Sequence, residues 1–375
     1  MGNFETVRLG DVATYINGYA FKPSYWSDNG LPIIRIQNLT GNDYETNYYS
    51  GDYNKKYEVV NGDILISWSA SLGVYEWKNE KALLNQHIFK VVFDKLPIDK
   101  SYFVHTVSYL LNDMLKETHG STMKHITKPR FDNTAFPYPP LETQKQIAAT
   151  LDKVTHTIDT CNAILEKLDL LVKSRFIEVF GSITKRRKLE EYADLITKGA
   201  SPKWQGIDYA EEGTLFVTSE NVRKGYLDFT KKKYLPNDIN KILPRSVLKR
   251  NDILINIVNA SIGRVAVYDS DELANINQAV ALVRLKPNAL NITFLLTFLN
   301  SEEALRAYDF MKVGGDKANL SLKNISDLLI PVADLELQEK FATFVEQIDK
   351  SKLAVKQVLE KAETLKKALM QEYFG

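Results

Sequence analysis

Asp63, Glu76 and Lys78 resemble a catalytic set: an aspartate, then a glutamate and a lysine two residues apart, could hold a divalent metal and activate water for phosphodiester cleavage. The chain supplies its own control, because the surroundings of this set occur twice. Asn61-Gly-Asp63-Ile-Leu-Ile66 returns as Arg250-Asn-Asp252-Ile-Leu-Ile255, and Ser71-Leu-Gly73 returns as Ser261-Ile-Gly263. The offset that aligns the glycines, 263 − 73 = 190, places Ala266 and Tyr268 where Glu76 and Lys78 stand. The second copy keeps the aspartate and loses its partners, so the set reads as turn and strand residues. An adenine methyltransferase would need a glycine-rich cofactor turn and an Asn/Asp-Pro-Pro-aromatic loop. Here Pro139-Pro140 follows Tyr138 and precedes Leu141. There is no Gly-x4-Gly-Lys-Ser/Thr phosphate loop. The five histidines all lie in the first half, none at metal-ligand spacing from cysteine or acid, and no metal site is expected.

What repeats instead is rich in amides: Gln37-Asn38 against Glu220-Asn221, and Asn85-Gln86 against Asn277-Gln278. Asparagine or glutamine can bond an adenine edge with two hydrogen bonds, and arginine or lysine a guanine edge. Matched amides after a turn serve equally well as backbone caps. Residues reading different bases should differ between copies, so unmatched polar neighbours are the better readers. These are Arg35, Ser67, Ser69 and His87 in the first copy, and Ser219, Arg223, Asn256 and Asn259 in the second. Gln37, Asn38 and Asn221 join the DNA-binding candidates by position. The turns at 120–125 and 314–319 add Lys124 and Lys317, where glycine lets backbone approach a phosphate closely.

These residues must be positioned by something long. In Leu141–Gly181, apolar residues recur at Ile147, Leu151, Val154, Ile158, Cys161, Leu165, Leu168, Val172, Phe176 and Val179. Steps of four and three make a heptad seam, so the stretch reads as one helix packed on another. About 39 helical residues span roughly 58 Å. Leu335–Gly375 repeats the stretch at a constant offset: 338 − 144 = 194 for the glutamines and 375 − 181 = 194 for the final glycines. Two such helices are most simply each other's partners, with Leu151, Ile158, Leu165 and Leu168 facing Val345, Val355 and Leu359. Lys352 and Lys366 fall where Ile158 and Val172 sit in the first seam.

The repeat gives the chain the order globular–helix–globular–helix, a duplication rather than a solenoid. We assign 1–138 and 182–332 to two globular domains and 139–181 and 333–375 to the helices. Each globular part mixes strands (31–36, 63–68 and 88–93; 215–218, 253–258 and 280–285) with a helix (103–115; 292–305), a mixed α+β or α/β class. With 375 residues, 44% hydrophobic and 25% charged, the composition is that of a soluble globular protein. No run approaches the ~18 apolar residues of a membrane span. The start lacks a signal-peptide layout, and the single cysteine sits on the helix seam, so a reducing cytoplasm is expected. A net charge of +1 argues against gripping nucleic acid by bulk charge alone.

The order of these motifs carries a family likeness. Leu9-Gly10-Asp11, Asn61-Gly-Asp-Ile-Leu-Ile66, Gly120-Ser-Thr122…Ile126, then Pro140-Leu-Glu-x-Gln144 and a helix closing Phe180-Gly181 return in weaker form in the second half. This pattern is similar to the specificity (S) subunit of type I restriction-modification systems and covers essentially the whole chain. The second copy departs at Leu189-Glu190-Glu191 and at Asp316, which stands at Thr122 and faces a phosphate with the wrong charge. The resemblance implies two target-recognition domains joined by two antiparallel coiled-coil helices, reading a bipartite, asymmetric DNA site. It implies no catalysis in this chain. Two methyltransferase subunits, binding S-adenosylmethionine, would dock on the helices, and a motor–nuclease restriction subunit would complete the complex. The rival classes are a lone DNA-binding protein and an enzyme using Asp63, Glu76 and Lys78.

Overall fold

The repeated Asp-Ile-Leu-Ile segment forms an interior strand of each globular part. In the computed structural model, which describes residues 4–41, 45–117, 126–314 and 318–375, these strands are Ile64–Ser67 and Asp252–Asn256. Side chains alternate across a strand, yet every residue here is buried. Two cores explain it. Ile64 and Ile66 face Tyr102, Phe103 and Val107 of the helix Lys100–Glu117. Leu65 faces Ile34, Val59 and Leu84 of a second sheet. In the other half, Ile253 and Ile255 face Phe294 and Phe298, while Leu254 faces Leu215, Val217 and Ile276. A strand covered on both faces needs a continuous apolar run.

The chain divides into two compact units, Met1–Asn162 with Lys356–Gly375, and Ala163–Val355. The topology of the first recurs in the second. In the first, an antiparallel sheet runs in the order Thr14–Asn17, Ile88–Val92, Ile64–Ser67, Gly73–Glu76. In the second the order is Ala193–Lys198, Val280–Leu285, Asp252–Asn256, Val265–Tyr268. Each unit adds a second sheet, of four strands in the first unit and three in the second, built on one parallel pair, Leu31–Ile34 with Ala82–Leu84 and Thr214–Val217 with Ala274–Ile276. A short antiparallel pair closes each unit: Thr6–Arg8 with Ala135–Pro137, and Arg186–Lys188 with Leu329–Pro331.

Two local expectations change. The stretch 292–305 is not one helix but two, Ile292–Leu299 and Glu302–Met311. Ser301 starts the second by accepting from the Ala304 N–H at 3.3 Å, and Asn300 donates to the Val265 carbonyl at 3.1 Å. The strand expected over 31–36 stops at Ile34, because Asn38 folds back to accept from the Arg35 N–H at 2.9 Å.

The long helices run Leu141–Phe180 and Leu335–Phe374, each unbroken for 40 residues. In the first unit, Ile147 and Leu151 share a core with Phe374, near the far end of the second helix. In the second unit the pairing reverses: Phe176 and Phe180 pack edge-on against Phe341, at 5.5 and 5.4 Å between ring centres. The helices therefore run antiparallel. Along the seam Leu151 and Cys161 are buried, and Ile158, Leu165, Leu168, Val345, Val355 and Leu359 are half-buried. Lys352 keeps its charge on the seam by pairing with Asp169 of the first helix at 2.6 Å.

The matched Gln144 and Gln338 fasten the helices to the units. Gln144 accepts from the Asp99 N–H at 3.0 Å and donates to the Pro139 carbonyl at 2.8 Å. Gln338 accepts from the Asn291 N–H at 2.9 Å and donates to the Ala333 carbonyl at 2.8 Å. Asp99 and Asn291 each stand at the start of a packed helix, where Asp99 Oδ1 accepts from the Tyr102 N–H and Asn291 Oδ1 from the Thr293 N–H.

Candidate nucleic-acid interface

Asp63 first shows what the suspected catalytic set does. Its carboxylate accepts from the Val60 N–H at 2.9 Å, as the Asp252 carboxylate accepts from the Lys249 N–H at 2.7 Å. The residue before each takes a positive φ, +87° at Gly62 and +73° at Asn251, which suits glycine and asparagine. Asp63 thus closes a turn. Glu76 and Lys78 are exposed and pair loosely with each other at 3.7 Å. Among the described residues no cluster of histidine, cysteine, aspartate or glutamate could hold a metal ion. Asp252 is buried, and Arg284 neutralises it through two contacts at 2.6 and 2.8 Å. The hydrogen bonds to Asp252 are the main cause that raises the Arg284 pKa above its ordinary value.

The candidate readers separate into clamps and free groups. Asn38 and Asn221 are the same device in two copies, each accepting from the backbone N–H three residues earlier at 2.9 Å. Asn221 goes further, donating to the carbonyls of Asp228 at 2.9 Å and Lys231 at 3.2 Å. Ser67 is fully buried and donates to the Ser71 carbonyl at 2.6 Å, while the Ser69 carbonyl lies 3.3 Å from the same hydroxyl. Asn256, also fully buried, donates to the carbonyls of Ser219 at 2.9 Å and Val222 at 3.4 Å. The polar groups of Asn38, Ser67 and Asn221 and the amide nitrogen of Asn256 are spent mainly on this chain's own backbone, while Asn256 Oδ1 is buried with no partner among the described residues. A buried polar group left without such a partner costs about 1–3 kcal/mol, which is why they are held. Asn85 and Asn277 likewise receive backbone N–H groups, from Phe21 at 3.4 Å and Ala279 at 3.1 Å.

Other candidates keep donors to offer. The Arg35 guanidinium lies over the Trp26 ring at 5.4 Å and donates one hydrogen bond to Asn47 Oδ1 at 3.2 Å. Stacking plus one hydrogen bond orients the plane and leaves further N–H groups for a ligand. Gln37 lies half-buried on the adjacent turn. His87 has φ +72°, sits against Trp68 at 5.0 Å, and buries Nδ1 with no partner among the described residues. Arg223 is loosely held, 3.5 Å from Asp228 Oδ2. Ser219 is half-buried and Asn259 is exposed on a turn at φ +54°. Lys124 and Lys317 lie outside the described residues.

Exposed aromatics were missed from the sequence. Trp204 is 83% exposed and Tyr25 is 40% exposed. Each occupies a short 3-10 turn opened by proline, Pro202–Gln205 and Pro23–Tyr25. Upstream of each, Gly199 and Gly18 touch the strand end beside Asn277 and Asn85 so closely that a Cβ would lie within 2.0 Å of a carbonyl oxygen. The matched glycine and proline were the available signal. In the run Lys231-Lys232-Lys233, Lys232 is paired with Glu272 and Lys233 with Glu220. The Lys233 hydrogen bond is the main cause that holds the Glu220 carboxyl below its usual range.

No helix among the described residues is long and apolar enough to cross a membrane. The sequence is 28% identical over 374 residues to the type I restriction enzyme EcoBI specificity subunit of Escherichia coli, covering 91% of this chain and 78% of that protein. It is 25% identical over 391 residues to the MjaVIII specificity subunit of Methanocaldococcus jannaschii, covering 98% of this chain and 91% of the other. The fold is similar to a type I restriction-modification S subunit from M. genitalium, with a TM-score of 0.58, 14% identity, and coverage of 100% and 96% of the two chains. A chain from a structure addressing assembly and conformational transition of a type I system matches at a TM-score of 0.59, 16% identity, and coverage of 99% and 97%. The family model of the type I restriction modification DNA specificity domain matches residues 1–170 and again 184–365. With both halves matched in turn, the chain belongs to the type I restriction-modification DNA specificity family.

Proposed function

We propose that this chain reads a bipartite, asymmetric DNA target, one half-site per globular unit, and scaffolds two methyltransferase subunits and a motor–nuclease subunit. The observation that carries this reading is the matched frame with unmatched tips. Asn38 and Asn221 cap identical turns, while the residues displayed beyond them differ between copies. Such a frame suits two readers of different sequence. Arg35, Gln37, Ser69 and His87 serve the first half-site, and Ser219, Arg223 and Asn259 the second, with Asn38, Ser67, Asn221 and Asn256 supporting them. Outward apolar residues of the long helices, Leu170 and Ile177 on one and Leu353 and Leu365 on the other, are exposed and suit docking of the methyltransferase subunits. Catalysis and S-adenosylmethionine belong to those partners in this reading, and the assembly works in the cytoplasm. The test is to express the chain with and without a methyltransferase partner and map adenine methylation across the host genome. A gapped, asymmetric methylated motif that needs both chains is expected. Tight site-specific binding by the chain alone would favour a stand-alone DNA-binding protein instead.

A further inference from the structure

Asn221 and Asn256, both buried in the second unit, hold one loop from both sides. Asn256 donates to the carbonyls of Ser219 and Val222. Asn221 accepts from Thr218 and donates to the carbonyls of Asp228 and Lys231. Between these anchors the chain reverses at Arg223-Lys224-Gly225-Tyr226. The Arg223 N–H donates to the Tyr226 carbonyl at 3.0 Å, and Val222 bridges to Leu227. Gly225 takes φ +88°, and its N–H donates to the Val265 carbonyl at 2.8 Å, which ties the tip to the main sheet. The backbone is therefore fixed, and what projects is side chain: Lys224 and Tyr226 are exposed, and Arg223 is partly so. The Arg223 guanidinium is steadied from one side by Asp228, whose other oxygen takes the Thr230 N–H and hydroxyl at 3.0 and 2.7 Å.

We propose that this turn is the specificity-determining element of the second unit, with Arg223 donating two hydrogen bonds to a guanine edge and Lys224 contacting a phosphate. The proposal rests on the DNA-reading function above and deepens it. A guanidinium presents paired N–H groups matching guanine O6 and N7, whereas an ammonium acts as a point charge suited to phosphate. The capping asparagine is shared with the first unit, as Asn38, but the tip is not. The offset of the capping asparagines, 221 − 38 = 183, puts Thr40 where Arg223 stands. Preorganisation favours discrimination, because a tip already held by Asn221, Asn256 and Val265 loses little freedom on binding.

The test uses the full chain with its methyltransferase partner, reading methylated motifs genome-wide and binding against salt. Arg223→Ala should relax one guanine position of the second half-site, with discrimination there falling about 5- to 150-fold, and leave the first half-site intact. Arg223→Lys should keep methylation active but leave that position relaxed, because the charge survives and the paired geometry does not. Lys224→Ala should weaken all sites alike and lower the salt slope by about one. An Arg223→Ala protein with the parental consensus, or an Arg223→Lys protein that restores it fully, would overturn the assignment of the turn. A wild-type second half-site without guanine would overturn it as well. Wild-type chain and partner that methylate no sequence-specific motif would instead overturn the DNA-reading function itself.

Discussion

Replacing Gln144 tests how the recognition units are held on the helices. Its side chain is fully buried and joins the Asp99 N–H to the Pro139 carbonyl. Gln144→Ala removes both bonds. Each partner left unsatisfied costs about 1–3 kcal/mol, so a total of about 2–6 kcal/mol is expected. With a urea dependence of about 2 kcal/mol/M, the unfolding midpoint should fall by about 1–3 M. The tryptophans tell the units apart, because Trp26, Trp68 and Trp77 lie in the first unit and the second holds only Trp204, already 83% exposed. Fluorescence should thus report the Gln144→Ala shift, whereas Gln338→Ala should move the far-ultraviolet dichroism transition and leave the fluorescence transition in place. Gln144→Glu sharpens the test without changing shape. A protonated acid can still donate to the Pro139 carbonyl, but a carboxylate there is buried against a second oxygen. The folded pKa of that glutamate is then raised above its unfolded value of about 4.3. The folded state binds the extra proton, so stability is retained below about pH 4 and falls by about 1.4 kcal/mol per pH unit until the folded pKa is passed. A Gln144→Ala midpoint within the shift that about 0.5 kcal/mol gives, or a Gln144→Glu protein whose stability tracks the wild type from pH 5 to 8, would refute the clamp.

Four further outcomes follow from the same geometry. Arg284→Ala strands the buried Asp252 carboxylate and should destabilise the second unit by about 3–5 kcal/mol in denaturant melts, with part recovered by adding Asp252→Asn. Leu165→Asp with Leu359→Asp places two charges on the half-buried seam and should abolish co-purification with the methyltransferase partner; intact assembly would contradict the paired-helix seam. Exchanging residues 1–138 for the equivalent part of a relative should change one half of the methylated motif, and a change in both halves would rule out independent readers. Glu76→Gln with Lys78→Ala should leave modification unchanged, since both side chains are exposed and only loosely paired, and lost activity would reinstate a metal-dependent role.

The sequence by itself determined the duplication, the heptad seam and the central strands. These are local or periodic properties: a run such as Ile64-Leu65-Ile66 is apolar whatever surrounds it, and the steps of four and three in Ile147–Val179 repeat along one helix face. Only the tertiary structure decided what the polar residues do. Asn221 and Arg223 are both polar residues of the same segment, yet one is a buried clamp and the other a partly exposed donor. The difference lies in the partners the fold brings up: Asn221 finds carbonyls 7 and 10 residues off, and elsewhere Asn256 finds the Ser219 carbonyl 37 residues off and Gln338 the Asn291 N–H 47 residues off. An amide carries the same donors and acceptors in every setting, so its role follows from which groups the fold brings within 3 Å of it. The exposed Trp204 turn was illegible for a related reason. Tryptophan is ordinarily well buried, and only the folded turn Pro202–Gln205 shows that this ring is turned outward.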